Sequence, residues 1–128
     1  MIKVQHLDHV AITVKDLERS VKWYQDVLNL EQRYKDEWEG VPIMMCAGDT
    51  CVALFKSSNS NPLPPPGRDT ISMMHLAFRT DRKNFENAQV ELKRRRIEFE
   101  FADHGVSHSI YFHDPDGHEI EITTYEIN

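Results

Sequence analysis

The chain has 128 residues, 40% of them apolar and 28% charged, and its formal net charge is −6. That length suits one domain large enough to bury its own core, and the composition is that of an ordinary globular protein. The acidic balance argues against a nucleic-acid or anionic-membrane surface, and no stretch approaches the length of a membrane span.

The N-terminus, Met1 to His6, has no apolar signal core, so the expected location is the cytoplasm. His9-Val-Ala-Ile-Thr-Val14 reads as a strand by its alternation, and Asp16 is suited to cap a helix. Leu17, Val21, Tyr24, Val27 and Leu28 then fall on one helical face. Strand-like runs follow at 30–35, 41–47 and 51–56, with turns at Gly40 and Gly48-Asp49. Cys46 and Cys51 flank the second turn and could face each other across the ladder. Without a secretion signal they read as reduced core residues. Residues 58–68 are polar and proline-rich, a linker with little capacity for regular structure.

His75-Leu-Ala-Phe-Arg-Thr-Asp81 repeats the opening pattern. A second helical stretch follows, with Phe85, Ala88, Val90 and Leu92 on one face, and Lys93-Arg-Arg-Arg96 reads as its solvated end. Strand-like runs at 97–101, 109–113 and 119–125 complete the copy, with Asp114-Pro-Asp-Gly117 as a tight turn. Each half is thus a βαβββ unit. The expected fold is α+β, a single domain over 1–128, with module one at 5–57, the linker at 58–68 and module two at 70–126. The paired modules form a curved mixed sheet with helices outside, and its concave side lines a pocket.

His9 and His75 hold matching positions in the two copies, and Glu121 lies on the last strand between Ile120 and Ile122. The isoleucines point one way and the glutamate the other. A single histidine on an apolar strand is ordinarily a packed or surface residue, and a glutamate among isoleucines is ordinarily a solvent-facing one. Two histidines at equivalent places in a duplicated unit, with a carboxylate on the final strand, read instead as a metal site. Two imidazoles and one carboxylate leave coordination positions open, which catalysis requires.

The paired layout and the segment Ser109-Ile-Tyr-Phe-His-Asp-Pro-Asp-Gly-His-Glu-Ile-Glu121 resemble the vicinal oxygen chelate superfamily. That group contains glyoxalase I, extradiol dioxygenases, fosfomycin-inactivating transferases and bleomycin-resistance proteins. The resemblance covers nearly the whole chain and implies that His9, His75 and Glu121 are metal ligands. His6 is a rival for His9, but the family pattern puts the ligand directly before the Val-Ala-Ile-Thr-Val run. It also implies a homodimer with two sites, in which ligands of each site come from different subunits.

In glyoxalase I-like members a fourth ligand comes from the last strand of the first module. Here that place falls on Ala53, which cannot bind a metal. The site has three protein ligands, and the lyase and isomerase reading is weakened. Two histidines and a carboxylate suit Fe(II) and dioxygen, although Mn, Zn, Ni or Co would also bind. Tyr111 matches a tyrosine that sits beside the catecholate in extradiol dioxygenases. His104-Gly105-Val106 resembles a segment of those enzymes that supplies a histidine behind the metal ligands. The favoured reading is a metal-dependent extradiol-type dioxygenase acting on a small vicinal-oxygen substrate, with Tyr111 and His104 catalytic. The alternatives are a fosfomycin-type transferase opening an epoxide with a thiol or water, a glyoxalase-like lyase or isomerase, and a ligand-sequestering resistance protein. His108 and His113 are further candidates for proton transfer, and His118 reads as structural.

Overall fold

Asp16 and Asp81 start the two helices in the same way. Each stands in extended backbone, and its side chain accepts the backbone N–H three residues on, from Arg19 at 3.1 Å and Asn84 at 2.8 Å. Each thereby satisfies an amide that a helix leaves without a partner. The computed structural model describes residues 1–38 and 41–128, so the turn expected at Gly40 lies outside the described residues. The elements run β1 (His9–Val14), α1 (Leu17–Leu28), β2 (Glu31–Arg33), β3 (Ile43–Ala47), β4 (Thr50–Lys56), β5 (Leu76–Arg79), α2 (Arg82–Arg94), β6 (Glu100–Asp103), β7 (His108–His113) and β8 (Glu119–Thr124). The fold is α+β, two βαβββ units, as the repeat predicts. The chain divides into compact units at Met1–Leu63 and Pro64–Asn128.

In the first unit the strand order is β1-β4-β3-β2. β1 pairs with β4 in parallel, and the other two pairings are antiparallel. Residues paired across a ladder share a face. One face therefore carries Val10, Ile12 and Val14 with Val52, Leu54 and Met45. The other carries His9 and Ala11 with Cys51, Ala53, Cys46 and Met44. Met44, Cys46 and Ala53 form a small buried cluster with Cys51 against it, which leaves the Val14, Val52, Leu54 and Met45 set for α1. α1 buries Ser20 and Tyr24 and ends at Asn29 in the left-handed region, φ 54.

Cys46 and Cys51 are directly opposed and joined by a disulfide. This corrects the expectation of reduced core thiols. The loop between Ala47 and Thr50 has two residues, with Gly48 at φ +58 as its first. Such a loop makes Ala47 and Thr50 a hydrogen-bonded pair and the next pair a non-hydrogen-bonded one, where Cα atoms approach most closely. Cys46 and Cys51 are that pair, with Cα atoms 4.0 Å apart.

The second unit has the same arrangement, β5-β8-β7-β6 with β5 and β8 parallel. Phe78, Ile122, Ile110 and Phe101 share one face, and the Phe85 ring of α2 lies 6.4 Å from Phe101 there. α2 buries Phe85 and Leu92, while Val90, expected on the packing face, is exposed. Five residues of α-helix carry Val90 about 140° away from Phe85, off the packed stripe.

Candidate metal centre

The second face of the second sheet is polar where the first is apolar. Ala77 pairs with Glu121, Glu121 with Tyr111, and Tyr111 with Glu100, so these four form one row across the sheet. Ser109 and Thr123 are the next pair along. Ile120, on the other face, is fully buried, and Glu121 is itself only 8% exposed.

A buried carboxylate needs partners, and it has them. Ser109 Oγ donates to Glu121 Oε2 at 2.6 Å and lies 3.0 Å from Thr123 Oγ1. The other oxygen, Oε1, is 2.9 Å from His75 Nε2. Two ligands at about 2.1 Å from one ion and at right angles to each other stand about 3.0 Å apart. The pair thus fits two ligands of one metal, and a 2.9 Å contact also serves as a hydrogen bond when no metal is present.

The turn before β8 fixes that aim. Asp114 is buried, and one of its carboxylate oxygens accepts N–H groups of Asp116 and His118, both at 2.9 Å. The Asp114 amide donates to His118 O, and Gly117 takes φ +92, where a side chain would strain the backbone. A one-residue slip there would turn Glu121 into the helix-packed face.

The Tyr111 hydroxyl is 2.9 Å from His104 Nε2. Burial holds the Tyr111 hydroxyl above its usual value of 10, and the negative charge of Glu121 and a hydrogen bond to it add to the rise. Tyr111 is therefore a protonated donor at neutral pH, next to an exposed imidazole.

His9 stands at the first residue of β1 in the first unit, and its Nδ1 is 2.7 Å from Asp8 Oδ2. His6 precedes the strand, and its Nδ1 lies 3.1 Å from the adjacent Leu7 carbonyl oxygen. The second unit thus brings together His75, Glu121, Tyr111 and His104, while His9 belongs to the first. Among the described residues, no group of three or more His, Cys, Asp or Glu is gathered to hold a metal ion. Of the other histidines, His108 lies 3.5 Å from Asp103 and edge-on to Phe101, and His113 is exposed at the end of β7.

Three residues next to the candidate ligands of the two units escaped the sequence reading. Ser109 and Glu119 each sit two residues from a residue it singled out, on the same strand and face. Asp8 immediately precedes His9. Strand parity alone would have flagged the first two.

The sequence profile of the Glyoxalase/Bleomycin resistance protein/Dioxygenase superfamily matches residues 6–122. The chain belongs to that superfamily. It is 29% identical over 118 residues to the catechol-2,3-dioxygenase of Bacillus subtilis (strain 168), a match that spans 91% of this chain and 40% of that protein. It is equally 29% identical over 119 residues to the glutathione transferase FosA of Serratia marcescens, spanning 93% of this chain and 80% of that one. Among solved structures, a glyoxalase/dioxygenase from Nostoc punctiforme superposes with a TM-score of 0.78 at 26% identity, covering 94% of this chain and 91% of its own. No helix among the described residues is long and apolar enough to cross a membrane.

Proposed function

We propose that the protein is a divalent-metal-dependent enzyme whose ion is held by His9, His75 and Glu121, and that it cleaves a small vicinal-oxygen substrate in the extradiol manner. The observation that carries this reading is the Tyr111–His104 pair, 2.9 Å apart, with Tyr111 the cross-strand partner of Glu121. A divalent ion there, Fe(II) by preference, would polarise substrate oxygens as a Lewis acid and exchange electrons with dioxygen.

The side chains do the rest. Tyr111 donates a hydrogen bond to a substrate oxygen, and His104 exchanges protons between Tyr111 and solvent. Ser109 keeps the Glu121 carboxylate in one orientation. The working form is a homodimer, in which His9 of one subunit completes the site that His75 and Glu121 of the other begin.

A second reading, a fosfomycin-type transferase, is favoured by match length, since FosA is covered over 80% of its sequence and the dioxygenase over 40%. It needs cations for a phosphonate. In the second unit Arg68 lies 3.6 Å from Glu119, and the Arg79 guanidinium sits 4.4 Å over the Tyr125 ring. These engagements make the transferase the weaker of the two.

Anaerobic reconstitution separates them. Oxygen uptake with catechols that appears only with Fe(II) is the expected result. Thiol consumption with epoxides that depends on Mn(II), without oxygen uptake, would transfer the assignment to the second reading.

A further inference from the structure

An imidazole offers a metal one nitrogen, and the hydrogen bond at the other nitrogen decides which one it is. In this protein both candidate histidines have a carboxylate at Nδ1, and the two carboxylates come from different places.

For His75 the carboxylate is Glu119. Continuing the β5–β8 register one residue back from Leu76 and Ile120 sets His75 beside Glu119. His75 Nδ1 and Glu119 Oε1 lie 3.5 Å apart. Both atoms are buried, and neither makes a hydrogen bond. Buried polar atoms are seldom left so, and here the two orphans face each other. A shift of about half an ångström would close an ordinary N–H···O bond between them. Arg68 Nη2 stands 3.6 Å from the same oxygen.

In the first sheet His9 pairs with Cys51, so Cys51 holds the place that Glu119 holds in the second. The Cys51 sulfur is tied into the disulfide, and a disulfide sulfur is a poor acceptor. The carboxylate comes instead from Asp8, 2.7 Å from His9 Nδ1. The two sheets differ in the register partner of the histidine, and in both a carboxylate stands near Nδ1.

We propose that Glu119 and Asp8 are positioning residues, each binding one imidazole at Nδ1 so that Nε2 is left to a metal ion. The inference rests on the metal reading above and adds to it the two residues that aim its histidines.

Zn(II) alone is the probe. Wild type, Glu119→Ala, Glu119→Gln and Asp8→Ala are titrated with Zn(II) against a competing chelator, and each Zn(II)-loaded protein is examined by 15N-resolved imidazole NMR. Wild type should show a slowly exchanging Nδ1–H on His75 and on His9. Glu119→Ala should lose the His75 signal and bind Zn(II) about 10- to 100-fold more weakly. Glu119→Gln keeps an acceptor oxygen and its shape, so it should retain the signal and recover part of the affinity. Asp8→Ala should lose the His9 signal with a comparable loss of affinity. Circular dichroism checks that each variant folds, and if Glu119→Ala does not, the reduced Zn(II) affinity of Glu119→Gln and the Asp8→Ala result carry the test. Wild-type Zn(II) affinity in every folded variant, with unchanged Nδ1–H signals in the folded alanine variants, would overturn the positioning role and leave the metal reading standing. Failure of wild type to take up Zn(II) would overturn both.

Discussion

Ala53 and Glu121 hold the same register position in the two sheets. Ala53 pairs with Ala11 and Glu121 with Ala77, and each of those alanines lies two residues after a candidate histidine. The duplicated framework therefore has two seats for a carboxylate, and only one is filled. Ala53 is 1% exposed in the cluster of Met44 and Cys46.

Ala53→Glu places an unpaired carboxylate in that apolar cluster and should cost roughly 3 kcal/mol. Urea unfolding in the presence of a chelator measures the loss. Added Zn(II) should recover part of it if the new carboxylate reaches the ion, and an identical urea midpoint with and without Zn(II) would count against this pairing of seats.

Ser109 is fully buried, and its hydroxyl is the donor to Glu121 Oε2. Ser109→Ala strands that oxygen, and hydrogen bonds to charged groups contribute about 1.5–3 kcal/mol. Chemical denaturation should show a loss in that range together with weaker metal uptake. A loss below about 0.5 kcal/mol would mean that Tyr111 or another donor takes over at Oε2.

Tyr111 has its hydroxyl held above the usual value of 10 by burial first and by the Glu121 charge next. The folded protein then binds the proton more tightly than the unfolded chain. The resulting stability is fully present below pH 10 and is lost as pH rises through the folded-state value. Tyr111→Phe should flatten the decline of stability above pH 10 and, if Tyr111 donates to substrate, lower kcat about 100-fold. Melting curves from pH 8 to 11 and steady-state kinetics measure the two effects independently.

The Cys46–Cys51 disulfide closes a loop of sequence separation five, so chain-entropy reasoning assigns it about 2 kcal/mol. Alkylation followed by mass measurement should label neither cysteine before reduction and both after. Labelling of the untreated protein would restore the reduced pair that the sequence predicts.

Much of the fold was legible because the repeat, the two capping aspartates and the helical stripe of α1 are local signals. Boundaries that depend on a partner were not. The run at 97–101 appears as β6 at Glu100–Asp103, because its pairing with Tyr111 to His108 sets its ends. The run at 41–47 begins at Ile43, one residue after Pro42, which has no N–H to give the ladder. The run at 30–35 stops at Arg33, because Tyr34 turns into the left-handed region at φ 59. Motif and parity singled out His75, Glu121, Tyr111 and His104, and the second unit brings those four side chains together. Glu119 was not singled out, because its proximity to the imidazole of His75, just before β5, is a distance in space rather than in sequence.

The parity of β8 gives its residues separate fates. Glu119, Glu121 and Thr123 meet polar partners, while Ile120, Ile122 and Thr124 pair with the helix-packed face of β7. Mutation at alternate codons therefore reaches different properties. Changes at 119, 121 and 123 can revise what the site binds with little effect on the packed side, and changes at 120 and 122 are held in check by folding. A lineage built on this strand can try new reactions in steps of two residues while its scaffold stays under separate selection.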